Sequence, residues 1–202
     1  VTSSSFAPLP LVLTGRHAEL QPLGQKHLDD LLDAVSDAEL WRWMPRQYFL
    51  DRGLAREWID TAVTEQADGR AVPFAIIDRT SGRAVGSTRL FDFHREHRGL
   101  EIGWTWIGTA HQRTALNTEC KRLLFGHAFD DLDALRVQLK TDSRNKRSRA
   151  AMERVGASFE GVLRNHVLLP SGDMRHSAYY SVIAEDWPAI RQRLDELLDR
   201  RR

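Results

Sequence analysis

The chain has 202 residues, 42% hydrophobic and 28% charged, the balance of a globular protein with an apolar core. Its 29 Lys and Arg against 28 Asp and Glu leave a formal charge of +1, which argues against coating a long nucleic acid or an anionic membrane by bulk charge. Cys120 is the sole cysteine, so an internal disulfide and any CxxC site are excluded, and a reducing cytoplasm is the expected setting.

Residues 1–8 (VTSSSFAP) read as a Ser-rich flexible start, and 9–202 as a single domain without a long polar linker. Leu9 to Leu13 is too short for a membrane span, which needs about 18 apolar residues, and lacks the basic flank of a signal peptide. Leu11 to Leu20 predicts an opening strand. Leu28, Leu31, Leu32 and Val35 fall on one helical face, and the scattered acidic residues around them (Asp29, Asp30, Asp33, Asp37, Glu39) suit a basic peptide and a solvated helix face equally well. Asp51 is placed to cap a second helix with inner residues Leu54, Trp58, Ile59 and Ala62. Strands follow at Pro73–Asp78, Arg83–Phe91 and Leu100–Ile107, the first two joined through Thr80-Ser81-Gly82. Cys120, Leu123, Leu124 and His127 mark a third helix, and Leu135–Thr141 a buried strand. A short helix with Ala151, Met152 and Val155 stops at Gly156, in the position of a C′ glycine. Phe159–Leu169 and Met174–Ala184 form a hairpin around Pro170-Ser171-Gly172-Asp173, and Ile190, Leu194, Leu197 and Leu198 close the chain as an amphipathic helix. Hairpins combined with one β-α-β crossing predict an α/β (α+β) fold whose central sheet is mixed and mostly antiparallel.

Chemistry concentrates between Glu101 and Gly156. A strand, EIGWTWI, leads through Gly108-Thr109 into a helix, and helix N-termini offer amide donors and a positive dipole end to phosphates. Between Arg136 and Arg149, six cations stand against Asp142, a local +5 in a chain of +1, which suits a small polyanion. His94 and His97 lack a third ligand at suitable spacing, so no metal site is expected. Cys120, on an apolar helix face, reads as a core thiol. Trp104 and Trp106 share a strand face with Ile102 by alternation, and Trp58 reads as core, whereas Trp41 and Trp43 read as more exposed.

The segment from EIGWTWI through HQRTALNTECKRLLFGHAF to LRVQLKTDSRNKRSRAAMERVGASFEGVLR resembles the GCN5-related N-acetyltransferases, in the branch similar to the ribosomal-protein N-terminal (RimJ/RimL-like) enzymes. The resemblance covers essentially the whole chain. It implies a splayed strand pair forming a V-shaped cleft for acetyl-CoA, with flanking helices, no metal, and a primary-amine acceptor that is a protein N-terminus or a small molecule. A homodimer is implied by analogy, and neither nucleic acid nor membrane is expected as a partner. The family's pyrophosphate loop falls on Gln112, Arg113, Thr114, Ala115, Leu116 and Asn117, with Ala115 and Asn117 where glycines are usual. Ile107, Thr118, Asn145, Arg147 and Ser148 complete the implied cofactor contacts. Acetyl transfer needs a neutral amine, donors for an oxyanion and a proton for the thiolate. The backbone near Ile107 or Gly108 is assigned the oxyanion, Glu101 the base with His94 as rival, and Ser148 the thiolate with Tyr179 and Tyr180 as alternatives. A structural ion pair between Glu101 and Arg89 is the competing reading of Glu101. The lost loop glycines motivate a second reading, a catalytically weak acyl-CoA-binding regulatory module.

Overall fold

A computed structural model describes residues 6, 8–35, 38–44 and 48–200. Residues 1–5 and 7 of the expected flexible start lie outside them, as do Asp37, Pro45 and the final Arg201-Arg202, whereas Phe6 is buried in the core.

The order of elements begins β1 (Leu13–Thr14), β2 (Ala18–Pro22), α1 (Leu28–Ala34), α2 (Arg52–Ala67), β3 (Ala71–Asp78), β4 (Arg83–His94) and β5 (Gly99–Ile107). It continues α3 (Leu116–Gly126), β6 (Arg136–Asp142), α4 (Lys146–Arg154), β7 (Ser158–Leu168), β8 (Met174–Ile183) and α5 (Trp187–Asp199). Among the described residues the strands form one sheet in the order β1-β2-β3-β4-β5-β6-β8-β7, antiparallel except between β5 and β6.

The predicted strand 11–20 is instead a tight hairpin, Leu13 opposite Leu20. Its turn is held from outside. The buried Glu119 carboxylate of α3 accepts the amides of Arg16 (2.8 Å), His17 and Ala18 (2.6 Å), removing them from any strand ladder. Asp51 caps α2 as predicted, its carboxylate accepting from the Leu54 amide at 2.8 Å. The buried stripe of α2 is Ala55, Trp58, Ile59 and Ala62, and Leu54 is exposed. Gly156 stands at φ +97, its amide donating to Glu153 O and that of Ala157 to Met152 O, the paired bonds of a Schellman stop. The acidic face of α1 is partly neutralised: Arg83 bonds Asp30 and Asp33, and Arg52 bonds Asp29.

Two apolar layers cover the sheet. On the α3/α5 side lie Phe74, Ile76, Leu90, Ile102, Leu124, Phe125, Leu139 and Tyr180, with Cys120 fully buried among them. On the α1/α2 side Trp41, Phe49, Trp58 and Trp106 pack over Ala75 and Ile77, with Phe49 5.5 Å from Trp41 and 4.9 Å from Trp106. Trp41 is therefore core and not exposed, and Trp43 is half-buried.

Strand β5 carries an irregularity that alternation does not reveal. Ser87 faces Trp106 and Arg89 faces Gly103, so Trp104 and Thr105 together oppose the single Thr88. Trp104 takes φ +52, a sparsely allowed conformation for a bulky residue, and forms a β-bulge. The extra residue inverts the pattern downstream. Ile102 belongs to the α3 side, whereas Trp106 belongs to the α2 side and Ile107 to the α3 side. The tryptophans thus do not share Ile102's face.

Candidate active site

The β5–β6 ladder contains Gly99 opposite Arg136, Leu100 opposite Val137 and Glu101 opposite Gln138, and then stops. Beyond that point β5 runs on to Ile107 while β6 runs to Asp142 without pairing to it, so the sheet opens into a V between them. The helices that follow these strands, α3 and α4, begin at the mouth of the opening. Glu101 lies at its apex.

On the α3 wall, Gly108 must approach the backbone closely: a Cβ there would lie 2.5 Å from the Ala34 carbonyl oxygen of α1. Gly108→Ala therefore forces the loop and α1 apart, and the expected loss is about 1–3 kcal/mol, read by urea unfolding. The Gly108 amide donates to Val85 O at 2.8 Å. Alternation of the antiparallel ladder then turns the Ile107 peptide groups away from β4 and toward the opening. The Ile107 carbonyl accepts from Gln112 Nε2 at 2.9 Å. Of the two proposed oxyanion donors, Gly108 is thus occupied and Ile107 is oriented into the cleft.

The loop that replaces two glycines does not need them. Ala115 is the N-cap of α3 at φ −69, a conformation open to alanine, and Asn117 sits in the first turn. The left-handed residue is Arg113, at φ +61. Thr114 Oγ1 bonds His111 O and accepts from the Leu116 amide, and Glu119 N closes the first helical turn on Ala115 O. The amides of the first turn before Glu119 have no intrahelical acceptor. Leu116 and Thr118 turn their side chains inward, Thr118 Oγ1 accepting from Arg154 at 2.9 Å, so both offer a ligand only backbone.

Across the opening, Asn145 caps α4, its Oδ1 accepting from the Ser148 amide at 3.0 Å. Asn145 and Ser148 are thereby joined to each other, and the Ser148 hydroxyl has no partner among the described residues. Arg147 Nη1 donates to Gln112 Oε1 at 2.9 Å, so one side chain from each wall meets at the mouth. The basic stretch 136–149 is largely paired: Arg136 with Glu160, Lys140 with Glu101, Arg144 with Asp142, and Arg149 with the Tyr180 hydroxyl. Its contribution to a polyanion narrows to Lys146 and Arg147, at the start of α4 beside the loop.

The Glu101 carboxylate is only 2% exposed, on the face opposite α3. Its Oε2 accepts from Lys140 Nζ at 2.7 Å and Gln138 Nε2 at 2.9 Å. Burial raises its pKa above the ordinary carboxylate value, although both bonds pull the other way. Arg89 is not its partner: that guanidinium bonds Glu65 at 2.8 Å and lies between the Trp58 and Trp104 rings, burial lowering its pKa to about 10. Lys140 also lies over the rings of Phe91 and Tyr179. The Tyr179 hydroxyl is 3.1 Å from His166 Nε2, which a bulge in β7 brings to it, and burial raises the Tyr179 pKa. His94 is exposed and 3.4 Å from Asp92, while Tyr180 is spent on Arg149 and Glu153. Sequence reasoning missed Gln138, counted Lys140 only among the cations of the basic stretch, and missed His166. For the first two the signal existed: polar Gln138 and Lys140 alternate with core Val137 and Leu139, which puts them on Glu101's face.

Among the described residues, no helix is long and apolar enough to cross a membrane, and no group of three His, Cys, Asp or Glu is arranged to hold a metal.

Comparison with known proteins bears on this architecture. The model of the acetyltransferase (GNAT) domain family matches residues 17–158. A GCN5-related N-acetyltransferase from Brucella melitensis superimposes with a TM-score of 0.89 at 31% identity, over 95% of this chain and 87% of that one. Mycobacterium smegmatis RimJ, solved in complex with CoA-disulfide, shares the fold at a TM-score of 0.78 and 20% identity, over 96% of each chain. A Bacillus subtilis (strain 168) protein named "Putative ribosomal N-acetyltransferase YdaF" is 31% identical over 107 residues, which is 52% of this chain and 57% of that relative's length. With the family model spanning well over half of its length, and an opened sheet of the matching form, the chain belongs to the GNAT acetyltransferase domain family.

Proposed function

We propose that this protein is an acetyl-CoA-dependent N-acetyltransferase that moves the acetyl group to a primary amine by direct attack in a ternary complex. The observation that carries this reading is the opening between β5 and β6, with a buried carboxylate at its apex and a helix N-terminus on its wall. The donor set suits acetyl-CoA. First-turn amides of α3 with Arg113 and Thr114 face the pyrophosphate, Gln112 and Arg147 bracket the mouth, and Asn145 and Ser148 line the arm. Bound there, acetyl-CoA supplies an activated thioester. Glu101 takes the proton from the incoming ammonium, directly or through water, as a base whose affinity for protons burial has increased. The Ile107 amide donates to the carbonyl oxygen as negative charge develops on it. As the new C–N bond forms and the thioester C–S bond breaks, the Ser148 hydroxyl hydrogen-bonds the departing sulfur, and the proton shed by the acylated nitrogen neutralises the thiolate. The names of YdaF and of RimJ make the N-terminus of a ribosomal protein the acceptor class tested first.

Calorimetric titration with acetyl-CoA, followed by thiol release with an amine panel, tests the reading. Saturable binding is expected, with release on adding peptides that carry a free N-terminus and none with the same peptides already acetylated. Binding without release from any amine supports the weak acyl-CoA-binding module instead, and absence of binding removes both.

A further inference from the structure

Helix α3 carries a cation that the site as described does not use. Lys121 faces the core and is 6% exposed, between the fully buried Cys120 and Leu124. An ammonium in such surroundings is normally matched by a carboxylate, because transferring a charge out of water is costly. Lys121 has none within ion-pair distance among the described residues. Its hydrogen-bond partner is Thr105 Oγ1 at 3.1 Å, and Thr105 Oγ1 is 2.8 Å from Thr88 Oγ1. These two hydroxyls are the bulge: Thr105 is half of the doubled position on β5, and Thr88 is the single residue opposite it.

The charged groups on every neighbouring element are committed elsewhere. On α3, Glu119 holds the amides of 16–18 and Arg122 bonds Asp195 of α5. Cys120 is kept neutral, its thiol pushed up to about 12 by burial. On β5, Glu101 points to the other face with Lys140. On β4, Arg89 bonds Glu65, and on α4, Arg154 reaches Thr118. Among the described residues no carboxylate pairs with Lys121, and burial lowers its pKa to about 8.

We propose that Lys121 is a positioning residue: through Thr105 its ammonium fixes the β5 bulge, and with it the direction in which the Ile107 amide faces the cleft. Lys121 donates to Thr105 Oγ1, which is in turn bonded to Thr88 Oγ1 at 2.8 Å and lies 3.5 Å from the Gly103 carbonyl it donates to, so the ammonium is tied to both strands of the bulge through one hydroxyl. Ile107 lies two residues downstream, and the same bulge decides which of its faces is turned to α3. The catalytic part of this inference rests on the acetyltransferase reading, whereas the structural part does not.

The test follows the backbone amides of Thr105, Trp106 and Ile107 by NMR against pH, in the wild type and in Lys121→Met, alongside kinetics. In the wild type these amides are expected to shift with a common midpoint near the lowered Lys121 value of about 8, and in Lys121→Met to be flat. With an accepted amine, Lys121→Met lowers kcat about tenfold or more, keeps KM for acetyl-CoA within about threefold, and loses the fall of kcat above pH 8, while Lys121→Arg recovers part of kcat. Thr105→Val, which retains the lysine, repeats the loss of kcat and serves if the methionine variant does not fold. Amides indifferent to pH in the wild type, or wild-type kcat in both Lys121→Met and Thr105→Val, overturn the proposal. A wild type that titrates at the bulge but releases no thiol with any amine fails the acetyltransferase reading alone.

Discussion

Glu101→Gln lowers kcat by about a hundredfold or more while leaving the Kd for acetyl-CoA nearly unchanged, the range associated with removing a positioned general base. Glutamine preserves the shape at the apex, but it cannot take a proton from the incoming amine. The pH profile carries the sharper signature. Because burial holds the Glu101 pKa above its ordinary value, wild-type kcat/KM should rise with pH along a limb set by that raised value, and the variant should lose this limb. The linked effect on stability has the opposite sense. The folded protein retains the Glu101 proton to higher pH than the unfolded chain does, so the stability contributed by the protonated form is present below the unfolded value and is lost as pH rises through the folded one. A base poised in this way costs the fold something at neutral pH. Steady-state rates from pH 5 to 9 decide the matter, and a variant with an unchanged profile removes Glu101 as the base.

Glu119→Ala is the substitution with the largest expected effect on stability, about 3 kcal/mol or more. One carboxylate accepts three successive amides there, at Arg16, His17 and Ala18. Hydrogen bonds to a charged acceptor contribute about 1.5–3 kcal/mol each, and a donor left buried without a partner costs about 1–3 kcal/mol. At this chain length the loss corresponds to a fall in Tm of about 6–12 °C. Glu119→Gln keeps the bulk but not the charge or the acceptor capacity, so it should fall between wild type and alanine. Thermal unfolding of the three proteins checks the order. Alanine as stable as wild type would show that the hairpin turn holds itself.

Much of this architecture was legible in the order of residues. Alternation and helical spacing placed the strands and helices, because a buried stripe must recur at the period of its own backbone. Gly156 and Asp51 announced a stop and a start through chemistry that is local. The sequence puts Glu101 on the strand leading into the opening, and the structure buries it there beside a lysine. What stayed hidden is non-local. The β1–β2 hairpin exists because Glu119, about a hundred positions away, takes its amides. The bulge at Trp104 is an insertion into a pairing register, and no periodicity within one strand records it. Its consequence was the misplaced face of Ile102, Trp104 and Trp106. Lys121 was hidden for a different reason: a lysine inside an apolar helix face reads as a break in the stripe, and only the packed structure shows it inside.

The three-residue ladder between β5 and β6 has a consequence for the cohesion of the whole molecule. Strands β1 to β5 form a meander of neighbours in sequence, and β6 to β8 a second group, and strand pairing joins the two groups through β5 and β6 alone among the described residues. The sheet is continuous across the seam for three residue pairs only, after which the facing rims of β5 and β6 have no backbone partner in each other. Backbone pairing is therefore thinnest where the sheet opens, and the two groups are otherwise joined through the shared apolar layer under α3 and α5. A molecule lying along that seam and bonding both rims acts as a missing splice between the halves, so occupancy and global unfolding are thermodynamically linked.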